Sequence, residues 1–156
     1  MAKNYTCRQL LNPSPVEVQQ LASLQTAIFN GIRSRRVAAL LHLAKVDPGR
    51  NMIFIAEQNE EIIGFIQLQA CKQNNQWINR GMGVADRYRR QGVGSSLLSL
   101  AIEFARQKGA SAIISYTDKE NTPSLTLHEQ NGFQKVLSLH PQPELRFRLR
   151  HSLVQG

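Results

Sequence analysis

The chain has 156 residues, of which 42% are hydrophobic and 19% charged, a balance that fits one globular domain and excludes an extended disordered segment. Lys and Arg outnumber Asp and Glu by 19 to 11, and the formal charge of +8 favours anionic partners or serves solubility alone. The longest near-apolar stretch, residues 37–44, is too short to span a membrane, and no apolar leader opens the chain, so we expect a cytoplasmic protein without a membrane partner.

The first half of the chain predicts a strand, two helices and a β-hairpin. In chain order these lie at residues 5–11, 15–29, 35–45, and 52–57 with 62–70. Ser14 and Glu17 form a capping box at the start of the first helix, because each side chain can accept a backbone N–H of the other residue. Gly64, inside the second hairpin strand, indicates a bulge or a close approach of another element.

The second half continues the alternation of strands and helices. The predicted elements are a strand at 77–84, a helix at 95–108, a strand at 112–116, a helix after Asn121, and strands at 133–139 and 145–150. This order predicts an α/β (α+β) fold with a mixed, largely antiparallel central sheet flanked by helices. We expect residues 1–156 to form a single domain.

Basic and apolar residues alternate along the C-terminal strand, which places Arg146, Arg148 and Arg150 on one face of the sheet. This face is either a solvated outer surface or a contact for nucleic acid or another acidic partner. No nucleic-acid-binding motif accompanies the arginines, which favours the solvated surface. A terminal strand can also pair at a sheet edge with a second copy, which leaves a homodimer open.

A glycine-rich turn follows the strand 77–84, with the sequence Arg89-Arg90-Gln91-Gly92-Val93-Gly94-Ser95. The N-terminus of the next helix offers unpaired N–H groups and the positive end of the helix dipole. Glycines let the backbone approach phosphate oxygens closely, and arginines add charge and forked donors. The segment therefore predicts a site for a polyanion such as pyrophosphate.

Two common nucleotide motifs are excluded. A P-loop requires Lys and then Ser or Thr after its second glycine, and this pair is missing because Ser95, not Lys, follows Gly94. The dinucleotide fingerprint requires a third glycine where Leu97 stands, and an acidic residue at the distance for a ribose contact is also missing.

The remaining pattern, Arg89-x-x-Gly92-x-Gly94 between a strand and a helix, resembles the signature loop of the GNAT superfamily of acyl-CoA-dependent N-acetyltransferases. Downstream, Asn121 begins a short helix that ends in Gly132-Phe133, which is similar to the second hallmark of that family. With these motifs the resemblance spans residues 52–133 in the correct order.

The resemblance implies acetyl-CoA as cosubstrate, with its pyrophosphate in the loop and its pantetheine arm along the preceding strand. The implied cofactor-binding residues are Met82, Gly83, Val84, Arg89, Arg90, Gln91, Gly92, Val93, Gly94, Ser95 and Asn121. Coenzyme A would lie in a V-shaped opening between the strand that ends at Val84 and the strand 112–117. A backbone N–H near Val84 would polarise the thioester carbonyl. The primary amine of a small-molecule or peptide acceptor, whose identity the sequence leaves open, would attack it directly.

His128 stands where family members commonly carry a tyrosine that protonates the leaving thiolate. It is either the catalytic acid, or a packing or capping residue while solvent supplies the proton. We assign no general base. Two carboxylates are nearby, but Glu57 also suits the role of an ordinary hairpin residue and Asp86 that of a partner for an arginine. Removal of the amine proton through a chain of water molecules is equally compatible with the sequence.

Other features leave alternatives open. Arg33, Arg35 and Arg36 fall in the segment that usually lines the acceptor site in the family, where they would select an acidic substrate or remain a solvated surface. Neither the two cysteines nor the histidines show metal-ligand spacing, so we predict no metal. Besides an acetyltransferase, the sequence permits a non-catalytic acyl-CoA sensor and, with less support, a basic nucleic-acid-binding protein.

Overall fold

A computed structural model describes residues 4–29, 42, 45, 47–71, 75–138, 143 and 145–153. The predicted second helix, apart from residues 42 and 45, lies outside the described residues, and so does the basic cluster at 33–36. That residues 1–156 form one domain stays a prediction.

The described elements follow the predicted order. They are β1 (Thr6–Gln9), α1 (Pro15–Phe29), β2 (Asn51–Gln58), β3 (Glu61–Cys71), β4 (Gln76–Val84), a 3₁₀ turn (Asp86–Tyr88), α2 (Val93–Gln107), β5 (Ala112–Asp118), α3 (Thr122–Gln130), β6 (Gln134–Val136) and β7 (Arg146–Ser152). Several boundaries differ from expectation by one to three residues. Helix α2 begins two residues earlier, directly after Gly92, and β6 is limited to three residues instead of the predicted 133–139.

The strands form one seven-stranded sheet in the order β1-β2-β3-β4-β5-β7-β6. All neighbours are antiparallel except β4 and β5, which are parallel. This confirms the predicted mixed, largely antiparallel sheet flanked by helices. The expectation that the terminal strand lies at an edge is wrong, because β7 pairs on one side with β5 and on the other with β6.

Helices cover both faces of the sheet because the strands are apolar on both sides. On one face α2 buries Leu97, Leu98 and Ala101 against residues that include Phe54 and Ile66. On the other face α1 buries Leu21 and Leu24 against a second group, made of Leu10, Ile53, Ile55, Ile62 and Phe65. Burying one such large side chain contributes about 1.5–3 kcal/mol, so the two groups fix each helix against the sheet.

The first turns of α1 and α2 are each held by a feature that the sequence predicted. Ser14 N donates to Glu17 Oε1 at 2.9 Å and Glu17 N donates to Ser14 Oγ at 3.2 Å, which confirms the capping box of α1. At Gly64 a Cβ would lie 3.0 Å from Val93 Cγ1 and 3.1 Å from Leu97 Cδ1. This close approach, also predicted, seats the N-terminus of α2 directly on β3.

The arginine face of β7 differs from the expected solvated surface. Arg146, Arg148 and Arg150 are all half-buried. Arg146 Nε is 2.9 Å from Asp118 Oδ1, and Arg148 Nη1 donates to the Leu137 carbonyl at 3.3 Å. The arginines therefore pack along neighbouring strands and loops instead of extending freely into solvent.

Candidate acyl-transfer site

Strands β4 and β5 pair over only part of their length. Their register runs from Gln76 opposite Ala112 to Ile78 opposite Ile114, although β4 continues to Val84 and β5 to Asp118. Beyond Ile78 the two parallel strands separate within the described part of the chain. This is the V-shaped opening that the sequence predicted between these strands.

A β-bulge lies where the strands separate. Leu68 of β3 pairs with Asn79, but Gln67 pairs with Gly81, so Arg80 is an extra residue in β4. Asn79 Oδ1 accepts the N–H of Gly81 at 2.9 Å, which holds the bulge in place. Since a bulge bends its strand and increases the local twist, it accounts for the divergence of β4 from β5.

The predicted anion loop lies at the wide end of this opening. Arg90 has a positive φ of 64°, and Gly92 takes a left-handed conformation with φ 82° as the N-cap residue of α2. Glycine adopts this conformation without the steric cost that a Cβ imposes. No side chain caps α2 at Gly92 among the described residues. The first N–H groups of α2 therefore remain available for an anion.

The second glycine of the loop has a packing role that the sequence did not reveal. A Cβ on Gly94 would lie 3.1 Å from Leu127 Cδ2, so Gly94 lets α3 pack closely against the start of α2. Ser95 Oγ donates to Asn131 Oδ1 at 3.4 Å across the same contact. The two hallmark motifs of the chain thus meet in space.

The arginines of the loop are exposed and only partly paired. Arg89 Nη2 is 3.2 Å from Asp86 Oδ1, and Arg89 Nε donates to the Val84 carbonyl at 3.4 Å. Asp86 is thus an arginine partner, one of the two roles weighed for it above. Arg90 is exposed beside Arg89 at the entrance to the opening. Both residues belong to the short segment that leads from β4 into α2.

Tyr5, which sequence reasoning missed, directly precedes the edge strand β1 and contacts the loop that follows β4. Its hydroxyl lies 2.9 Å from Ser96 Oγ and 3.5 Å from the Gln91 carbonyl. A Cβ added to Gly92 would lie 3.5 Å from the same hydroxyl. No local signal marks Tyr5, because this contact depends on the pairing of β1 with β2.

His128 lies in the core of the site, 1% exposed, and both ring nitrogens have partners. Nδ1 is 2.8 Å from the Ser124 carbonyl, which can only accept, so Nδ1 carries the proton. Nε2 then accepts from Ser115 Oγ at 2.8 Å. Burial lowers the pKa of His128 below 6.5, against a smaller opposite effect of the bond to Ser124, and the neutral form is favoured.

Ser115 connects His128 to the bulge. Asn79 Nδ2 donates to Ser115 Oγ at 3.2 Å, and Ser115 in turn donates to His128. This line of hydrogen bonds runs from β4 through β5 to α3, across the point where the sheet opens. Neither Asn79 nor Ser115 was singled out from the sequence.

Asn121 caps α3. Its Oδ1 accepts the backbone N–H of Ser124 at 3.2 Å, and Thr117 Oγ1 lies 3.1 Å from Ser124 Oγ. The residue thus fixes the start of α3 beside the end of β5, and its side chain is exposed.

The carboxylate of Glu57 is held in an ion pair. Arg8 Nε is 2.8 Å from Glu57 Oε1, and Arg8 Nη2 is 2.6 Å from Glu17 Oε2. The pKa of Arg8 is raised, mainly by its hydrogen bond to Glu57 and to a smaller extent by that to Glu17. The pKa of Glu17 is lowered, mainly by the hydrogen bond from the Ser14 N–H and to a smaller extent by that from Arg8. Arg8 of β1 thus joins β2 through Glu57 and α1 through Glu17, and this structural role of Glu57 disfavours it as a base.

Two further expectations concern metals and membranes. Among the described residues, no group of three or more His, Cys, Asp or Glu side chains could hold a metal ion. Cys7 and Cys71 are both free thiols. None of the helices in the described ranges is long and apolar enough to cross a membrane.

In this α+β domain the parallel strands β4 and β5 separate beside the N-terminus of α2, which no side chain of the described residues caps. This arrangement suits a phosphate-bearing ligand. Residues 17–133, well over half of the chain, match the acetyltransferase (GNAT) family. The chain belongs to this family, which confirms the resemblance read from the two motifs.

Individual relatives agree with this assignment. The chain is 33% identical over 96 residues to YhfO, an uncharacterized N-acetyltransferase of Bacillus subtilis, a match that covers 59% of this chain and 64% of that protein. It is 32% identical over 95 residues to an aminoglycoside N(6')-acetyltransferase type 1 of Serratia marcescens, covering 61% and 64%. The chain thus spans less than two thirds of the length of these relatives.

A solved structure shows the same fold. The PaiA N-acetyltransferase of Thermoplasma acidophilum, in complex with coenzyme A, superimposes with a TM-score of 0.76 at 16% identity. The match covers 95% of this chain and 98% of that one.

Proposed function

We propose that the protein is an acetyl-CoA-dependent N-acetyltransferase that transfers the acetyl group to a primary amine. The observation that carries the proposal is the separation of β4 from β5 beside the uncapped first turn of α2. An elongated cosubstrate with a thioester at one end and a pyrophosphate at the other needs both features side by side. Membership of the acetyltransferase family supports the same reaction.

The proposed binding residues follow from this geometry. The pyrophosphate binds the backbone of residues 89–95, with Arg89 and Arg90 as exposed cations. The pantetheine arm lies along Met82–Val84, on the side of β4 that has left β5, and Asn121 borders it from α3. Acetyl-CoA supplies the acetyl group as an activated thioester. A backbone N–H near Val84 stabilises negative charge on the carbonyl oxygen as the amine attacks.

Direct attack requires two proton transfers. The amine forms the new C–N bond, the C–S bond breaks, the ammonium gives its proton to water, and the thiolate takes a proton from solvent. We propose that His128 acts through Ser115 as a positioning residue and does not donate the proton itself. Its burial, its lowered pKa and the engagement of both nitrogens support this role.

The test has two stages. Titration calorimetry with acetyl-CoA at low and high salt should show one-to-one binding, with a Kd of about 1–100 μM that weakens as salt rises. Thiol release is then followed with a panel of primary amines: glycinamide, propylamine, glucosamine, cyclohexylamine, spermidine, lysine and an alanine-initiated peptide. Absence of binding at millimolar acetyl-CoA contradicts the proposal at its first step.

One observation favours a second candidate, a module that binds acyl-CoA without turnover. Glu57 and Asp86 are both ion-paired and His128 is buried, so none of these three offers an unpaired acid or base. The two functions differ in the second stage of the test. Saturable acetyl-CoA binding without thiol release from any amine of the panel would support the binding module.

A further inference from the structure

A pair of glutamines is buried between α1 and the sheet. Gln25 is 2% exposed and Gln67 is 4% exposed. Gln25 Nε2 donates to Gln67 Oε1 at 3.5 Å, which leaves Gln67 Nε2 with no hydrogen-bond partner in the described part of the chain. An unpaired buried amide destabilises a folded protein, so such a group requires an explanation.

The unpaired amide lies beside an open strip of backbone in β4. Gln67 pairs in register with Gly81, and Phe65 with Gly83. A Cβ on Gly83 would lie 2.6 Å from Ile28 Cδ1, so α1 closes the strip at that point. Among the described residues, a Cβ on Gly81 would meet only Phe65 Cε2 at 3.8 Å and Gln67 Oε1 at 3.9 Å. Within that part of the chain, the strip is therefore uncovered at Gly81.

This opening coincides with the place where the sheet separates. Gly81 follows the bulge and lies three residues beyond Ile78, the last residue of β4 that pairs with β5. It also directly precedes Met82–Val84, the backbone along which the pantetheine arm is proposed to lie. A group bound at Gly81 would therefore lie next to the strip of β4 that is proposed to bind acetyl-CoA.

The chemistry of the free group selects its ligand. A carboxamide N–H₂ donates hydrogen bonds and does not attract an ammonium ion, so its partner is an oxygen atom. We propose that Gln67, held in orientation by Gln25, binds an oxygen of the acceptor. The acceptor is then a primary amine with a hydroxyl or carbonyl oxygen near its nitrogen. This inference rests on the proposed acetyltransferase function.

A purely structural role for Gln67 makes a different prediction. Replacing Gln67 with an apolar side chain of similar size removes an unpaired N–H₂ but also takes the acceptor from Gln25 Nε2, so the two effects on stability oppose each other and the net change should be small. Gln67→Leu is therefore expected to fold. If the role of Gln67 is purely structural, this variant should still discriminate between amines with and without a nearby oxygen atom. If Gln67 binds that oxygen, the variant should lose this discrimination.

Gln69 provides the matched control. It lies on the same strand and face, but both ends of its amide are paired, with Arg80 Nε at 2.8 Å and Asn51 Oδ1 at 3.0 Å. Gln69→Leu should lower stability and retain selection, since the amide nitrogen of Gln69 already donates to Asn51 and its oxygen already accepts from Arg80. Gly81→Ala is a second probe, because its Cβ has room but would occupy the space beside Gln67.

The experiment compares kcat/KM for two pairs of primary amines that differ in oxygen: glycinamide with propylamine, and glucosamine with cyclohexylamine. We expect wild type to prefer the oxygen-bearing member by roughly 10- to 100-fold, and Gln67→Leu to lose most of that preference through KM. Gly81→Ala should lower kcat/KM for glycinamide, and Gln69→Leu should keep the wild-type ratio.

The outcomes separate the two proposals. Turnover of propylamine, cyclohexylamine or spermidine as efficient as that of the oxygen-bearing amines overturns the role of Gln67 and leaves the acetyltransferase intact. An unchanged ratio in Gln67→Leu does the same. No thiol release with any amine overturns the acetyltransferase function, and the role of Gln67 with it.

Discussion

Ser115 Oγ lies 2.8 Å from His128 Nε2, and it receives the Asn79 amide on its other side. The histidine that replaces the expected tyrosine is therefore tied to the strand opening through a hydroxyl instead of facing it directly. This arrangement makes the protonation state of His128 a property of the fold, with consequences for stability as a function of pH.

His128 should make the protein less stable in mild acid. Its pKa is lowered from 6.5 in the folded state, so the unfolded chain takes up a proton more readily as the pH falls below 6.5. The free energy of unfolding should then decrease down to the folded-state pKa. Urea unfolding at about pH 7.5 and about pH 5.5 measures the decrease. His128→Phe should show a smaller decrease, and an equal one in both proteins contradicts the assignment.

Removing the Ser115 hydroxyl should cost stability and little of the affinity for acetyl-CoA. Ser115→Ala leaves a buried imidazole nitrogen without a donor, a loss of about 1–3 kcal/mol in the free energy of unfolding. If the two side chains act as a unit, the double variant with His128→Phe should lose less stability than the sum of the single variants. Additive losses would show that the hydrogen bond does not couple them.

His128→Gln, which retains an acceptor, should recover turnover relative to His128→Phe if His128 is a positioning residue.

Gly92→Val should weaken acetyl-CoA binding beyond any effect on folding. A side chain at φ 82° costs about 1–2 kcal/mol and obstructs the start of α2, where the pyrophosphate is assigned. Gly109→Val is the matched control, since Gly109 also has a positive φ, of 75°, with nothing within 4 Å of an added Cβ, and follows the other end of α2. Calorimetry should show an increased Kd for Gly92→Val alone. Equal affinities in the two variants would exclude the loop as the anion site.

The order of elements and the anion loop could be predicted from the sequence because their determinants are local. The Ser14–Glu17 capping box and the glycines around the start of α2 act within a few residues of one another. The family resemblance then placed the opening between β4 and β5, a relationship of two distant strands that local patterns alone do not specify.

The residues that sequence reasoning missed depend on contacts between distant elements. Asn79 meets Ser115 across 36 residues of sequence, and Gln25 of α1 meets Gln67 of β3 across 42. Asn79 also adjoins the bulge in β4, which shifts the register by one residue at Arg80. A single extra residue in a strand has no distinctive sequence pattern, so the partners could be found only from the structure.

Tyr5 should support the anion loop from β1. Its hydroxyl bonds to Ser96 Oγ at 2.9 Å, in the first turn of α2, so Tyr5→Phe should lower the free energy of unfolding by about 0.5–1.5 kcal/mol. Because Ser96 directly follows the pyrophosphate segment, the variant should also raise the Kd for acetyl-CoA by a few-fold. Ser96→Ala removes the same bond from the other side and should have the same two effects. The double variant should be no worse than either single one, and a further loss of affinity in the double variant would show that the two hydroxyls act on the loop independently.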